Sequence, residues 1–515
     1  MLADCGQVTQ PFPQFPIAVP GRHGILPSMQ ALCATPRVAL VLAVNFQSHR
    51  LTVAQVAHVN AARSYRGMSL WLLAITHLAA ASVAAAPVDL PVGVSQIVVM
   101  EPVFQGRTRI LQAGQTHKQT LVLVHGIGEA GARDWYGVIP TLAQSWHVIA
   151  FDLPGFATSE HRNQTFTPLM YAAFIKYVVQ DRVRGPFALV GHSLGGAVAL
   201  RYASVWPSDV QRLIVVDAAG ILYRSALAKE VMELSGNKTA TSVWTRSAKA
   251  LAGKMIDRFG RIPLDLDAIW GAQTARRIWL GSNSAKIAAL ALIDEDFSRL
   301  LERVTVPTTL IWGSADRIAP PRTARLLLAR LPDVAVHWMD AVGHEPMHEA
   351  PAPFVELLQN ALTGKGRVAV KRLVPTASDR IGKCNRKENQ SFTGAWARIE
   401  LNDCDGVRIE NATLRELVMN DSAATLENVR FDTDGTAMRL EDSSLTATGL
   451  VVRAAIAFDL DQVQLDIAGA DIEATKQGTL VDDDSVGVFS ACRWWTPQTK
   501  GGLHGVFTLE TETPL

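Results

Sequence analysis

Cysteine is scarce and unevenly placed in this chain of 515 residues. Of its five cysteines, none falls between Pro87 and Gly366. That half of the sequence therefore has no disulfide framework and no thiolate metal site. A P-loop and a His-Glu-x-x-His helix are also missing, which speaks against P-loop nucleotide chemistry and a catalytic zinc. Charge of either sign is not in excess. Lys and Arg total 49 against 48 Asp and Glu, a net charge of +1, so no global feature points to a nucleic-acid partner. What is plentiful is apolar side chain, 48% of the residues, enough for a large core. The length predicts two domains behind a leader.

The pattern with most chemical content is Gly191-His192-Ser193-Leu194-Gly195. It follows the apolar run Phe187-Ala188-Leu189-Val190 and precedes Gly196-Ala197-Val198-Ala199-Leu200, small and helix-forming residues. Gly-x-Ser-x-Gly at a strand-to-helix junction is the setting of a nucleophile elbow, whose tight turn needs small neighbours. A nucleophilic serine needs a base, and the base needs an acid to orient it. Asp316 stands just past the apolar strand Thr309-Leu310-Ile311-Trp312-Gly313. His344 stands on the loop after a second strand, Ala335-Val336-His337-Trp338-Met339. Asp217, at the end of Leu213-Ile214-Val215-Val216, is read as a turn residue and not the acid. His125, His192 and His348 are read as structural.

With serine, acid and histidine in that order, the chain resembles the α/β-hydrolase superfamily from about Val94 to Leu362. Leu121-Val122-Leu123-Val124-His125-Gly126-Ile127 is similar to that family's third strand and oxyanion loop. Phe151-Asp152-Leu153-Pro154-Gly155-Phe156-Ala157 is similar to its fourth strand and the loop after it, with Ala157 where the family usually has Gly. The resemblance implies an α/β fold over 87–366 with a helical cap at about 221–303. It implies Ser193, His344 and Asp316 as nucleophile, base and orienting acid. The backbone N–H groups of Ile127 and Leu194 are implied as the oxyanion hole. Cleavage of carboxylic, lipid-like esters through an acyl-enzyme is the activity implied, with no cofactor and no metal. Carbon–carbon bond hydrolysis and haloperoxidase-like chemistry share this triad, and an inactive glycan- or surface-binding module is the reading from another class. Trp244, Met255, Trp270 and Trp279 of the cap are either pocket walls or ordinary core.

Two flanking regions differ from this middle. Arg63 and Arg66 precede an apolar stretch from Met68 that ends in Ala81-Ser82-Val83-Ala84-Ala85-Ala86, the layout of a secretory signal peptide. This predicts export, with cleavage near Ala85 and Met68 as the true start; an uncleaved membrane anchor over 68–86 is the other reading. Residues 367–515 carry short apolar strands separated by Asn, Asp and Gly. Their spacing predicts an all-β domain, a parallel β-helix, with a β-sandwich as the competing fold. Between Leu401 and Ser490 there are 18 acidic against 6 basic residues; glycan or cell-surface contact is expected there by analogy with other β-helix proteins. Cys384, Cys404 and Cys492 all lie here, and Cys384–Cys404 is the expected disulfide if export is right.

Overall fold

A computed structural model describes residues 90–226, 272–367 and 373–511. The signal-like segment, Trp244, Met255 and Trp270, and all but the first two residues of the cap helix expected at Ser225–Leu234 lie outside these residues. Eight strands form the first sheet: β1 (Ser95–Glu101), β2 (Gly106–Ala113), β3 (Thr120–Val124), β4 (His147–Phe151), β5 (Phe187–His192), β6 (Val210–Val216), β7 (Thr308–Gly313) and β8 (Val334–Met339). Their order is β1-β2-β4-β3-β5-β6-β7-β8. Pairing is antiparallel from β1 to β4 and parallel from there on. Every residue of β3, β4 and β5 is buried, because a parallel sheet has helices on both faces.

Two layers of core follow. On one face pack α1 (Pro168–Gln180), α2 (Leu194–Val205), α4 (Ser284–Ile293) and α5 (Pro321–Arg330); on the other, α6 (Pro351–Thr363). α1 starts where Pro168 fixes the first turn and the Thr167 hydroxyl accepts the Met170 N–H. The cap segment contributes α3 (Gln273–Leu280) and α4. α4 matches the expected apolar spacing, burying Ile287, Ala288, Ala291 and Leu292. Trp279 on α3 is 73% exposed, so it is neither pocket wall nor core among the described residues.

Ten more strands form the C-terminal sheet: β9 (Ile381–Asn385), β10 (Ser391–Asn402), β11 (Val407–Asn420), β12 (Ala423–Asp432), β13 (Thr436–Glu441), β14 (Ser444–Asp461), β15 (Gln464–Ala468), β16 (Asp471–Val481), β17 (Ser485–Trp495) and β18 (Lys500–Leu509). All pairings are parallel except β17 with β18. Ser391 lies opposite Arg408 and Gln464 opposite Val486, so the chain comes back beside itself every 17 to 22 residues. A sandwich of antiparallel sheets is excluded by this pairing.

Here the structure departs from the expected pattern of separate short strands. β12 carries both Ala424-Thr425-Leu426 and Val429-Arg430-Phe431, bending at Asn428 without ending. The reason is a column of single left-handed residues, Asn411 (φ 48), Asn428 (φ 51), Gly449 (φ 69), Gly469 (φ 65) and Ala491 (φ 49). One such residue turns the chain while its neighbours keep pairing. Asn428 Nδ2 donates to Asn411 Oδ1 at 2.7 Å, stitching corner to corner. A second column (Asp403, Asp421, Asp442 and Gln462) repeats the device. Asn420 donates to Asn402 (2.9 Å) and Asn402 to Asn385 (3.1 Å) beside it. Cys384 and Cys404 are disulfide-bonded, and Cys492 is a free, buried thiol pushed up to about 11 by burial.

The stack rests on α5. Arg322 donates to both carboxylate oxygens of Asp466 at 2.9 Å, to Thr448 Oγ1 at 2.9 Å and to the Ala447 carbonyl at 3.2 Å, all in buried surroundings. A Cβ on Gly449 would stand 3.2 Å from Ala329, and one on Gly469 3.2 Å from Leu326. Glycine at these corners therefore serves both the left-handed turn and the close approach of the helix. Ala468 and Ala491 join the same core as Leu326 and Leu327.

Candidate active site

β5 delivers the chain into a sharp turn at Ser193, whose backbone is forced to φ 52, ψ −119 before α2 begins at Leu194. The flanking glycines are sterically required. A Cβ on Gly191 would meet the Gly195 carbonyl at 2.1 Å, and one on Gly195 would meet the Val124 carbonyl at 2.4 Å. Any side chain there would break the turn that lifts the serine off the sheet. Leu194, first residue of α2, keeps its N–H outside the intrahelical ladder. The loop after β3 runs directly against the serine: a Cβ on Gly126 would lie 2.9 Å from Ser193 Cβ. Ile127, next in that loop, is half-buried.

Ser193 Oγ is 3.0 Å from His344 Nε2, and His344 Nδ1 is 2.8 Å from Asp316 Oδ2. Asp316 is fully buried, and its other oxygen accepts the N–H groups of Ile318 (2.7 Å) and Ala319 (3.0 Å). Those bonds hold the carboxylate as an acceptor, so the His344 Nδ1–H donates to it and Nε2 is left free to take the serine proton. The three residues predicted from sequence are thus brought into one hydrogen-bonded chain.

Asp217 does not join it. It sits one residue past β6 with φ 43, and its Oδ1 accepts the Gly313 N–H at 2.9 Å. Burial, then the charge of Asp316, hold its carboxyl well above the usual carboxylate range. His125 is structural, as read: Nδ1–H donates to the Gly126 carbonyl (2.6 Å) and Nε2 accepts the Leu153 N–H (2.8 Å), a neutral ring in a buried place. His348 lies on a short helix at Pro346–Glu349, with Nε2 3.5 Å from Asp134.

Two neighbours were not assigned to the site from sequence. His192 Nε2 donates to the backbone carbonyl of His344 at 2.7 Å, tying the elbow to the histidine loop. Burial first, then the nearby His344, lower its pKa to about 3. Glu349 accepts the N–H groups of Gly343 (2.7 Å) and Glu345 (3.1 Å), one on each side of His344. The available sequence signal was a carboxylate at the end of a short helix behind a turn with free N–H groups. Gly126-Ile127-Gly128-Glu129-Ala130-Gly131 also has the spacing of a dinucleotide fingerprint. No long helix follows it, only a 3-10 turn at Gly131–Trp135, and a Cβ on Gly131 would meet the Asp152 carboxylate at 2.5 Å. A pyrophosphate has neither a helix N-terminus nor a charge-free approach there.

The sequence profile of the alpha/beta hydrolase family matches residues 121–357. Lipase 1 of Psychrobacter immobilis is 26% identical over 249 residues, covering 46% of this chain and 74% of that protein. Human monoacylglycerol lipase ABHD6 is 24% identical over 256 residues, covering 47% and 74%. A crystal structure described as a membrane phospholipase A, a bacterial virulence factor, aligns with a TM-score of 0.40 at 25% identity, over 58% of this chain and 97% of that one.

Proposed function

Residues 121–357 place this chain in the α/β-hydrolase superfamily, and on that footing we propose that it is a serine hydrolase cleaving carboxylic esters, lipid-like ones among them. The observation that carries the proposal is the unbroken contact from Ser193 through His344 to Asp316, at 3.0 and 2.8 Å. Ser193 Oγ attacks the ester carbonyl carbon while its proton passes to His344 Nε2. The oxyanion so formed is held by the N–H groups of Leu194 and Ile127, and the positive end of α2 adds to the field there. The tetrahedral adduct expels the alcohol, which leaves with the proton from His344. Water, activated by the same histidine, releases the acid and restores Ser193. The named lipases among the relatives support ester and lipid substrates.

Export belongs to the same proposal. The signal-like run at 68–86 supports it, and so does a Cys384–Cys404 disulfide, a bond that persists in oxidising compartments. Sequencing the N-terminus of the mature protein tests it; a start well before Pro87 overturns it.

The activity is tested with p-nitrophenyl esters of increasing acyl length and a fluorophosphonate probe. The expected result is turnover and covalent labelling at Ser193, both lost in Ser193→Ala, with kcat reduced about 10⁴-fold or more. Turnover that survives in Ser193→Ala overturns the assignment.

A further inference from the structure

A cleft of about 610 Å³ opens where the hydrolase meets the C-terminal stack. Arg299, Glu302 and Arg303, on the segment entering β7, form one side; β14, β16, β17 and β18 supply the other. Three carboxylates line it: Glu302, Asp471 and Glu473. Two arginines already engage all three. Arg453 pairs with Asp471 at 2.9 Å and Glu473 at 2.7 Å, and Arg493 pairs with Asp471 at 2.8 Å and Glu302 at 3.7 Å. Arg299, Arg303 and Lys500 also line the cleft, and among the described residues they make no ion pair.

Five cations against three carboxylates leave an uncompensated positive charge in a concave place, which focuses the field on an incoming anion. The arginine fork matches the paired oxygens of a phosphate or carboxylate. The volume is that of a small-molecule site and exceeds what a bare oxyanion fills. The rest of the lining includes Trp495, which is 37% exposed, and Gly501 and Gly502, which pack against Arg299 and Ser298. An indole face accepts a ring laid upon it. We propose that this cleft binds a small anionic sugar, a sugar phosphate or sugar acid, with its oxyanion on Arg299, Arg303 and Lys500 and its ring on Trp495.

The test is calorimetric titration of the full chain with glucose 6-phosphate, glucuronate, inorganic phosphate and glucose. Binding of one or both anionic sugars is expected, weakened at least tenfold in Arg303→Ser/Lys500→Ser and weakened by added salt. Trp495→Ala should weaken sugar binding and leave any phosphate binding unchanged. If glucose 6-phosphate binds and glucuronate does not, the oxyanion is a phosphate; the reverse makes it a carboxylate. None of these residues belongs to the ester-cleaving machinery, so turnover of a p-nitrophenyl ester by each variant certifies its fold. Heat absent for both anionic sugars, or equal affinity in wild type and the double variant, overturns the proposal.

Discussion

His192 shows how much a single buried ring does around Ser193. It follows Gly191 on β5, yet its Nε2–H reaches the His344 carbonyl and holds the loop that carries His344. Removing that bond frees the loop and leaves an unsatisfied carbonyl beside the site. His192→Phe is expected to lower kcat roughly tenfold with little change in KM, and His192→Gln, which can donate from its amide, to restore most of it. Acid stability gives an independent readout. The ring's pKa falls from an ordinary 6.5 to about 3 on folding. Below pH 6.5 the unfolded chain therefore takes up a proton that the native state refuses. Stability drains as pH falls from there towards 3, by about 2 kcal/mol at pH 5. Urea midpoints at pH 7.5 and pH 5 should show wild type losing about that much more than His192→Gln. Equal losses would place the acid sensitivity elsewhere.

At the scale of elements, the strand–elbow–helix unit was the most legible part of the chain. Its glycines leave no alternative, and the order of Ser193, Asp316 and His344 along the sequence carries over to the ends of β5, β7 and β8. Their meeting depends on β7 and β8 lying side by side, which no local pattern states. The C-terminal strands were legible as β and as a repeat. They were misjudged in length, because Asn411 and Asn428 look like chain terminators in sequence but act as corners within a continuous ladder. The docking of the stack on α5 left no signal at all. Arg322 sits in a helix that scans as an ordinary amphipathic segment, and its partner Asp466 lies 144 residues away. That pair is buried on both sides, at 6% and 9% exposure. Arg322→Ala strands the Asp466 carboxylate and is expected to cost about 3–5 kcal/mol, read as a lower urea midpoint. Arg322→Met with Asp466→Leu should recover much of that loss. If the single variant is as stable as wild type, the contact does not hold the two parts together.

For the molecule as a whole, hydrolase and stack share core residues. The stack itself has unlike ends. At one, β18 folds back antiparallel on β17 and covers the last parallel strand. At the other, β9 pairs among the described residues with β10 alone, so one row of its backbone groups has no described strand beside it. In a coil-upon-coil array each layer leans only on its neighbours, so opening propagates from whichever end is weaker. The Cys384–Cys404 bond closes a loop of 20 residues across that end, a constraint worth about 3 kcal/mol. Amide hydrogen exchange should therefore be graded along the stack, fastest in β9 and slowest around β14. Reduction should speed exchange in β9 and β10 while leaving β14 to β17 unchanged; uniform acceleration would mean the stack opens as a single block. The stack thus behaves as a zipper with a stop at one end and a removable clasp at the other, and its first point of failure is set by the redox state of its surroundings.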